Sequence, residues 1–165
     1  MRDGMKLRTA TMDDLQAVTA LEALCFPAAE AATEAEFRQR LAAYGNHFWL
    51  LEDETGRLIS FINGLCTDEE TLRDELYADA GAHREDGDWQ MIFGVNTHPD
   101  FRRRGYAAQV MRQVLADAKA QGRKGCVLTC KDRLIHYYEG FGFRWEGVSA
   151  SVHGGVVWND MRLTF

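Results

Sequence analysis

Apolar positions along the chain recur at two spacings, and the switch between them divides it into strands and helices. Met5-Lys6-Leu7-Arg8 alternates and predicts a short strand. Thr11 stands where an N-cap belongs, with Asp14 in the first turn. Leu15, Val18, Leu21 and Cys25 then recur at helical spacing until Phe26-Pro27 ends the run. Thr33-Glu34-Ala35-Glu36 is a capping box, and Phe37, Leu41 and Tyr44 mark the buried stripe of a second helix. Phe48–Glu52 and Leu58–Gly64 read as an antiparallel hairpin around Asp53-Glu54-Thr55-Gly56. Asp68–Leu76 predicts a short helix and Ala78–Asp88 a polar loop.

The second half opens on the apolar, strand-like run Trp89–Val95, which feeds a basic turn. A helix follows from about Tyr106 to Gln121, with Val110, Met111, Val114, Leu115 and Ala118 on its buried face and Gly122 at its C-terminal glycine position. Cys126–Cys130 predicts a strand and Leu134–Glu139 a short helix. Two closing strands, Phe143–Ser151 and Val156–Leu163, flank His153-Gly154-Gly155. The order predicts one α/β (α+β) domain over 1–165: a single mixed, mostly antiparallel sheet of about seven strands with flanking helices. Strand, helix and strand over 89–130 should form a right-handed parallel crossover.

Length and composition narrow the class. At 165 residues, 46% apolar and 27% charged, the chain matches an ordinary globular domain. No apolar run approaches the ~18 residues of a membrane span and no signal-peptide core is visible, so a cytoplasmic protein without membrane attachment is expected. Cys25, Cys66, Cys126 and Cys130 match no zinc spacing and read as free thiols, so no metal is expected. A net charge of −6 argues against nucleic-acid binding. Acid is concentrated in Asp68–Asp88, which leaves Arg102-Arg103-Arg104 as a local basic site in an acidic protein.

That site carries the candidate chemistry. In Asn96-Thr97-His98-Pro99-Asp100-Phe101-Arg102-Arg103-Arg104-Gly105-Tyr106-Ala107-Ala108, a strand runs into a glycine-containing turn at a helix N-terminus. Unpaired N–H groups and the positive end of the helix dipole there favour phosphate, and the arginines add bidentate donors. The glycine and lysine spacings of a nucleotide P-loop and of a dinucleotide site are both missing.

Arg102-x-x-Gly105-x-Ala107 after a strand, followed some thirty residues on by Tyr138-Glu139-Gly140-Phe141-Gly142-Phe143, resembles the GNAT superfamily of acyl-CoA-dependent N-acetyltransferases across essentially the whole chain. Phe61-Ile62-Asn63-Gly64, Phe101–Gly105, and Cys130-Lys131-Asp132 before Tyr137-Tyr138-Glu139 look like its arylalkylamine branch. The resemblance implies acetyl-CoA as cosubstrate. Backbone groups of Val95 and Thr97 would pair with pantetheine. Arg102, Arg103, Arg104, Gly105, Tyr106, Ala107 and Ala108 would hold the pyrophosphate. Tyr138 would protonate the departing thiolate.

It also implies a base that this sequence lacks. The arylalkylamine branch carries two histidines on the central strand, where Met91 and Phe93 stand here, and the glutamate used by other members is missing as well. The candidate stand-ins are a water chain, His83, Glu85 or Asp86 of the acidic loop, or Glu52. Lys131 replaces an asparagine common in the superfamily. His98 reads as shaping the turn and His136 as solvated, while Cys130 would serve an acyl-cysteine route only as a thiolate. Phe26, Phe61, Trp89 and Phe93 are candidates to line an acceptor pocket.

The expected acceptor is the primary amine of a small molecule, arylalkylamine or polyamine-like, drawn by the acidic 68–88 segment and attacking directly in a ternary complex. The alternatives are a protein N-terminal or lysine acetyltransferase and a catalytically idle acyl-CoA-binding domain. A monomer or homodimer is expected.

Overall fold

The computed structural model describes residues 4–165; Met1, Arg2 and Asp3, which the 1–165 domain expectation includes, lie outside the described residues. Local chemistry sets the first elements. After β1 (Lys6–Thr9), Thr11 and Asp14 close a capping box over one turn, Met12–Asp14, that leads into α1 (Leu15–Cys25). A second box starts α2 (Glu34–Tyr44): the Glu36 N–H donates to Thr33 Oγ1 at 3.2 Å and the Thr33 N–H to Glu36 Oε1 at 3.0 Å. These reciprocal bonds satisfy two N–H groups that a helix start leaves without partners.

β2 (Phe48–Glu52) and β3 (Leu58–Asn63) form the expected hairpin, and β4 (Cys66–Thr67) continues from β3. The helix expected over Asp68–Leu76 is reduced to α3 (Glu75–Ala78). Asp74 is instead tied to the far end of the chain, accepting from the Val152 N–H at 3.0 Å and from the Ser151 hydroxyl. The run Trp89–Val95 is not one strand but two, β5 (Trp89–Ile92) and β6 (Gly94–Thr97). Then come α4 (Tyr106–Ala120), β7 (Gly125–Cys130), α5 (Ile135–Glu139), β8 (Arg144–Val148) and β9 (Asn159–Thr164). Gly122, at φ +80°, ends α4 as its position predicts.

The single sheet of about seven strands becomes two sheets with nine strands among the described residues, ordered β1-β2-β3-β6 and β4-β5-β7-β9-β8. All pairings are antiparallel except β5 with β7, which α4 connects as a parallel crossover. The cause of the division is a register change. Asn63 faces Gly94, but Cys66 faces Gln90, so the β5–β6 side carries one more residue than the β3–β4 side. That is a β-bulge at Phe93, whose N–H donates to the Asn63 carbonyl at 2.8 Å. A bulge bends its strand and increases the local twist, and β6 turns away from β7 just beyond the Ile92–Leu128 pair.

Two cores lie on the two faces. β2 feeds both by alternation: Phe48 and Leu50 pack with α1, α2 and Phe61, while Trp49 and Leu51 pack with Val110, Met111 and Val114 of α4. Leu115, expected on that stripe, is half-buried at its edge. Among the described residues no helix is long and apolar enough to cross a membrane.

Candidate active site

A cavity of 320 Å³ occupies the gap between the diverging strands. Gly94 and Val95 of β6, Thr129 and Cys130 of β7, Glu22 of α1 and Tyr138 of α5 all border it. Of the aromatic residues expected around an acceptor, Phe26 and Phe93 line it; Phe61 and Trp89 are core.

β6 gives the gap a free backbone edge. It is the outer strand of its sheet, paired with β3 alone among the described residues. The His98 N–H donates to the Ile59 carbonyl at 2.8 Å, which fixes the phase of the ladder. Antiparallel bonding alternates, so Asn96 and Gly94 also turn their backbone groups to β3, and Val95 and Thr97 turn theirs outward. The Thr97 carbonyl accordingly accepts from outside the sheet, from Cys25 Sγ and Arg102 Nε, each at 3.3 Å.

The turn beyond β6 is built as a donor surface. His98 Nδ1 accepts from the Asp100 N–H at 3.1 Å, the turn-shaping role its position suggests. Arg103 (φ +63°) and Gly105 (φ +80°) both adopt the left-handed conformation, and a Cβ at Gly105 would meet nothing within 4 Å. Gly105 caps α4 without a side-chain hydrogen bond, and the first N–H bonded inside the helix is that of Gln109, to the Gly105 carbonyl at 3.0 Å. The N–H groups of Tyr106, Ala107 and Ala108 are therefore the helix's free donors, at its positive end. Arg102, Arg103 and Arg104 are exposed beside them, with Arg104 stacked on the Phe101 ring at 5.3 Å.

Tyr138 is 6% exposed, borders the cavity, and is wedged edge-on against Tyr137 and Phe143. Burial pushes its phenol above the ordinary tyrosine value, so it stays protonated. Burial likewise holds the Cys130 thiol up, at about 11, so at neutral pH it is not the thiolate an acyl-cysteine route requires. Lys131 pairs with Glu30 at 2.9 Å on the cavity wall. His136 is fully exposed on α5, as expected.

The proposed stand-ins for the base lie elsewhere. Glu52 pairs with Arg8 at 3.1 Å, and neither it nor His83, Glu85 or Asp86 borders the cavity. Of the acidic 68–88 segment only Tyr77 does so; Glu69 pairs with Arg73 and Asp88 with Lys124. The cavity's acids come instead from α1 and α2 and the segment between them: Glu22, Glu30 and Glu36.

Glu22 is the functional candidate the sequence reading passed over. It is 5% exposed, with Oε2 accepting from the Ala32 N–H at 2.9 Å and Oε1 from Asn96 Nδ2 at 3.1 Å. Burial pushes its carboxyl above the ordinary glutamate value, against the pull of the Ala32 hydrogen bond and the charge of Arg40. A signal was available: Glu22 follows Val18 by four residues and precedes Cys25 by three, on the apolar face of α1.

One cluster outside the cavity has metal-ligand geometry. His47, His83 and Glu85 bring three ligand atoms within 4.8 Å of one another. The hydrogen bonds assign them another task. The Cys66 N–H donates to His83 Nδ1 at 3.0 Å, which puts the proton of neutral His83 on Nε2, where it donates to Glu85 Oε1 at 3.0 Å. Burial chiefly holds His83 below the ordinary histidine value. Burial alone would raise Glu85, but hydrogen bonds from His83, His47 and Asn46 bring it down to about 2. Both groups bind protons more weakly folded than unfolded, so stability is full at neutral pH and falls as pH drops through the ordinary histidine and glutamate ranges. Thermal unfolding between about pH 5 and pH 3 checks this: the stability gap between the wild type and Glu85→Gln should shrink as the pH falls from the ordinary glutamate value toward about 2.

Comparison with known proteins places these elements in a family. The description "Acetyltransferase (GNAT) family" matches residues 15–143. A serotonin N-acetyltransferase of Mesocricetus auratus is 30% identical over 112 residues, 67% of this chain and 53% of that protein. The chain thus spans about half the length of the curated relatives it matches. The GphF GNAT-like decarboxylase, solved in complex with isobutyryl-CoA, shares the fold with a TM-score of 0.82 at 22% identity, over 96% of this chain and 98% of that one. A GNAT family acetyltransferase from Brucella melitensis, in complex with acetyl-CoA, gives 0.62 at 18% identity, over 99% and 89%. With the matched span running from the start of α1 through α5 to Phe143, the chain belongs to the GNAT acetyltransferase family.

Proposed function

We propose that the chain is an N-acetyltransferase that moves the acetyl group of acetyl-CoA to the primary amine of a small molecule, arylalkylamine or polyamine-like, by direct attack in a ternary complex. The observation that carries this reading is that one cavity is bordered by the β6 edge, by Tyr138 and by buried acid. A pantetheine arm laid along β6 would find the outward backbone groups of Val95 and Thr97, as an added strand does. The free N–H groups of Tyr106, Ala107 and Ala108, with Arg102, Arg103 and Arg104 beside them, fit the pyrophosphate. Gly105 and Ala107 keep that backbone approachable. Tyr138 would donate its proton as the thiolate leaves.

The acceptor class rests on the buried carboxylate of Glu22 at the cavity and on its aromatic wall, Phe26, Tyr77, Phe93 and Trp158. The matched relative is named for serotonin, itself an amine. Thiol release from acetyl-CoA should be measured with 2-phenylethylamine, tyramine and spermidine. Turnover on at least one of them is expected. Acetyl-CoA binding without turnover on any of the three would instead favour an idle acyl-CoA-binding domain. Turnover confined to a peptide N-terminus or lysine would favour protein acetylation.

A further inference from the structure

An amine arriving at this cavity is mostly protonated, since an unperturbed alkyl ammonium has a pKa of ~10. The strand leading into the basic turn offers it nothing: Met91 is sealed in the core, and Phe93 presents a ring to the cavity. Helix α1 offers a carboxylate. We propose that Glu22 seats the ammonium of the acceptor and takes its proton, freeing the nitrogen for attack; this rests on the acyl-transfer reading of the cavity.

Each Glu22 oxygen already accepts one hydrogen bond, from Ala32 and from Asn96, which fixes the plane of the carboxylate. Each keeps a further lone pair for an incoming donor. Gly94 clears the approach, because a Cβ at that position would lie 3.0 Å from Glu22 Oε1 and 3.1 Å from Asn96 Nδ2. The carboxylate therefore meets β6 one residue before Val95, whose backbone faces the gap. Charged and titratable neighbours face Glu22 from every side: Cys25 on its own helix, Arg40 and Glu36 on α2, and Tyr77 past the start of α3. Arg40 moderates the buried charge while its own guanidinium is held by Asn63 Oδ1 at 3.0 Å and the Tyr77 carbonyl at 2.8 Å. With its affinity for protons raised by burial, Glu22 is a better proton acceptor than a solvated glutamate.

The protons balance. The ammonium gives one proton to Glu22. The neutral nitrogen attacks the thioester carbonyl, the C–N bond forms and the C–S bond breaks. The sulfur takes the Tyr138 proton, the phenolate recovers a proton from the amide nitrogen, and the Glu22 proton passes to solvent.

The test compares kcat/KM against pH for wild type, Glu22→Gln and Gly94→Ala, using acetyl-CoA and the three amines. Glu22→Gln should lose at least about a hundredfold and also the acid limb that wild type shows above the ordinary glutamate range, with acetyl-CoA affinity retained. Gly94→Ala keeps the charge but displaces it, and should lose about tenfold or more with the limb in place. Wild-type rates and an unchanged limb in Glu22→Gln overturn the assignment and leave the acyl-transfer reading standing. If Glu22→Gln does not fold, a wild-type kcat/KM in Gly94→Ala overturns it. No wild-type turnover on any of the amines overturns the small-amine acyl-transfer reading, and with it Glu22 as the group that takes the acceptor's proton.

Discussion

Replacing Tyr138 by Phe should lower kcat for acetyl transfer by about a hundredfold and leave the affinity for acetyl-CoA unchanged. The leaving thiolate is the conjugate base of a thiol whose ordinary pKa is ~8.5, so at neutral pH its departure gains from a proton supplied in place. The phenol is held protonated by burial at the cavity wall. Phe fills the same wedge against Tyr137 and Phe143 and removes only the hydroxyl, so the fold is preserved and the loss reports chemistry. Tyr137→Phe is the internal control, because Tyr137 is 41% exposed and does not border the cavity. Steady-state kinetics with the most active of the three amines decides the matter. Equal turnover in Tyr138→Phe and wild type removes Tyr138 as the acid.

The largest effect on stability is expected at Gly64, which joins β3 to β4 where the two sheets separate. A Cβ there would lie 1.8 Å from the Met91 carbonyl oxygen and 2.6 Å from its carbon. Both are backbone atoms, held by the Met91 N–H bond to the Leu65 carbonyl at 2.8 Å, so no side-chain rotation relieves the clash. Either the strand pair parts or the turn moves, and Gly64→Ala should lose at least about 3 kcal/mol. Urea unfolding followed by circular dichroism measures it. A loss under about 1 kcal/mol would mean that the Gly64–Met91 contact is slacker than its geometry shows.

What could be read in the sequence was the chemistry confined to a few neighbouring residues. Thr33–Glu36 forms its capping box as spelled, Thr11 caps the turn that leads into α1, Gly122 ends α4, and the turn around Gly105 sits at the N-terminus of α4 as its spacing predicts. Properties belonging to pairs of strands were not legible. The run Met91-Ile92-Phe93 is unbroken in hydrophobicity, so nothing in it marks a bulge, which exists only relative to Asn63 and Cys66 across the ladder. One sheet was expected where two diverge for that reason. The acid of the cavity was looked for where acidic residues are dense, along 68–88, yet dense surface acid finds partners in arginine and lysine. A single glutamate on the apolar face of α1 carries the signal instead, and it is weak because periodicity is scored on the apolar residues around it.

The bulge at Phe93 also makes the free edge of β6 a matter of counting. A regular ladder sets one residue against one on the partner strand, and Phe93 is the one residue in excess. Deleting Phe93 would make the Asn63–Gly94 and Cys66–Gln90 registers continuous, so β6 would run straight on from β5 and its outward edge would close on β7 instead of diverging from it. No substitution at Val95 or Thr97 has that reach, because the groups concerned are main chain. Along this strand, tolerance to insertion and deletion is a separate trait from tolerance to substitution. A change in length by one residue would disable the edge while leaving every residue that faces it intact.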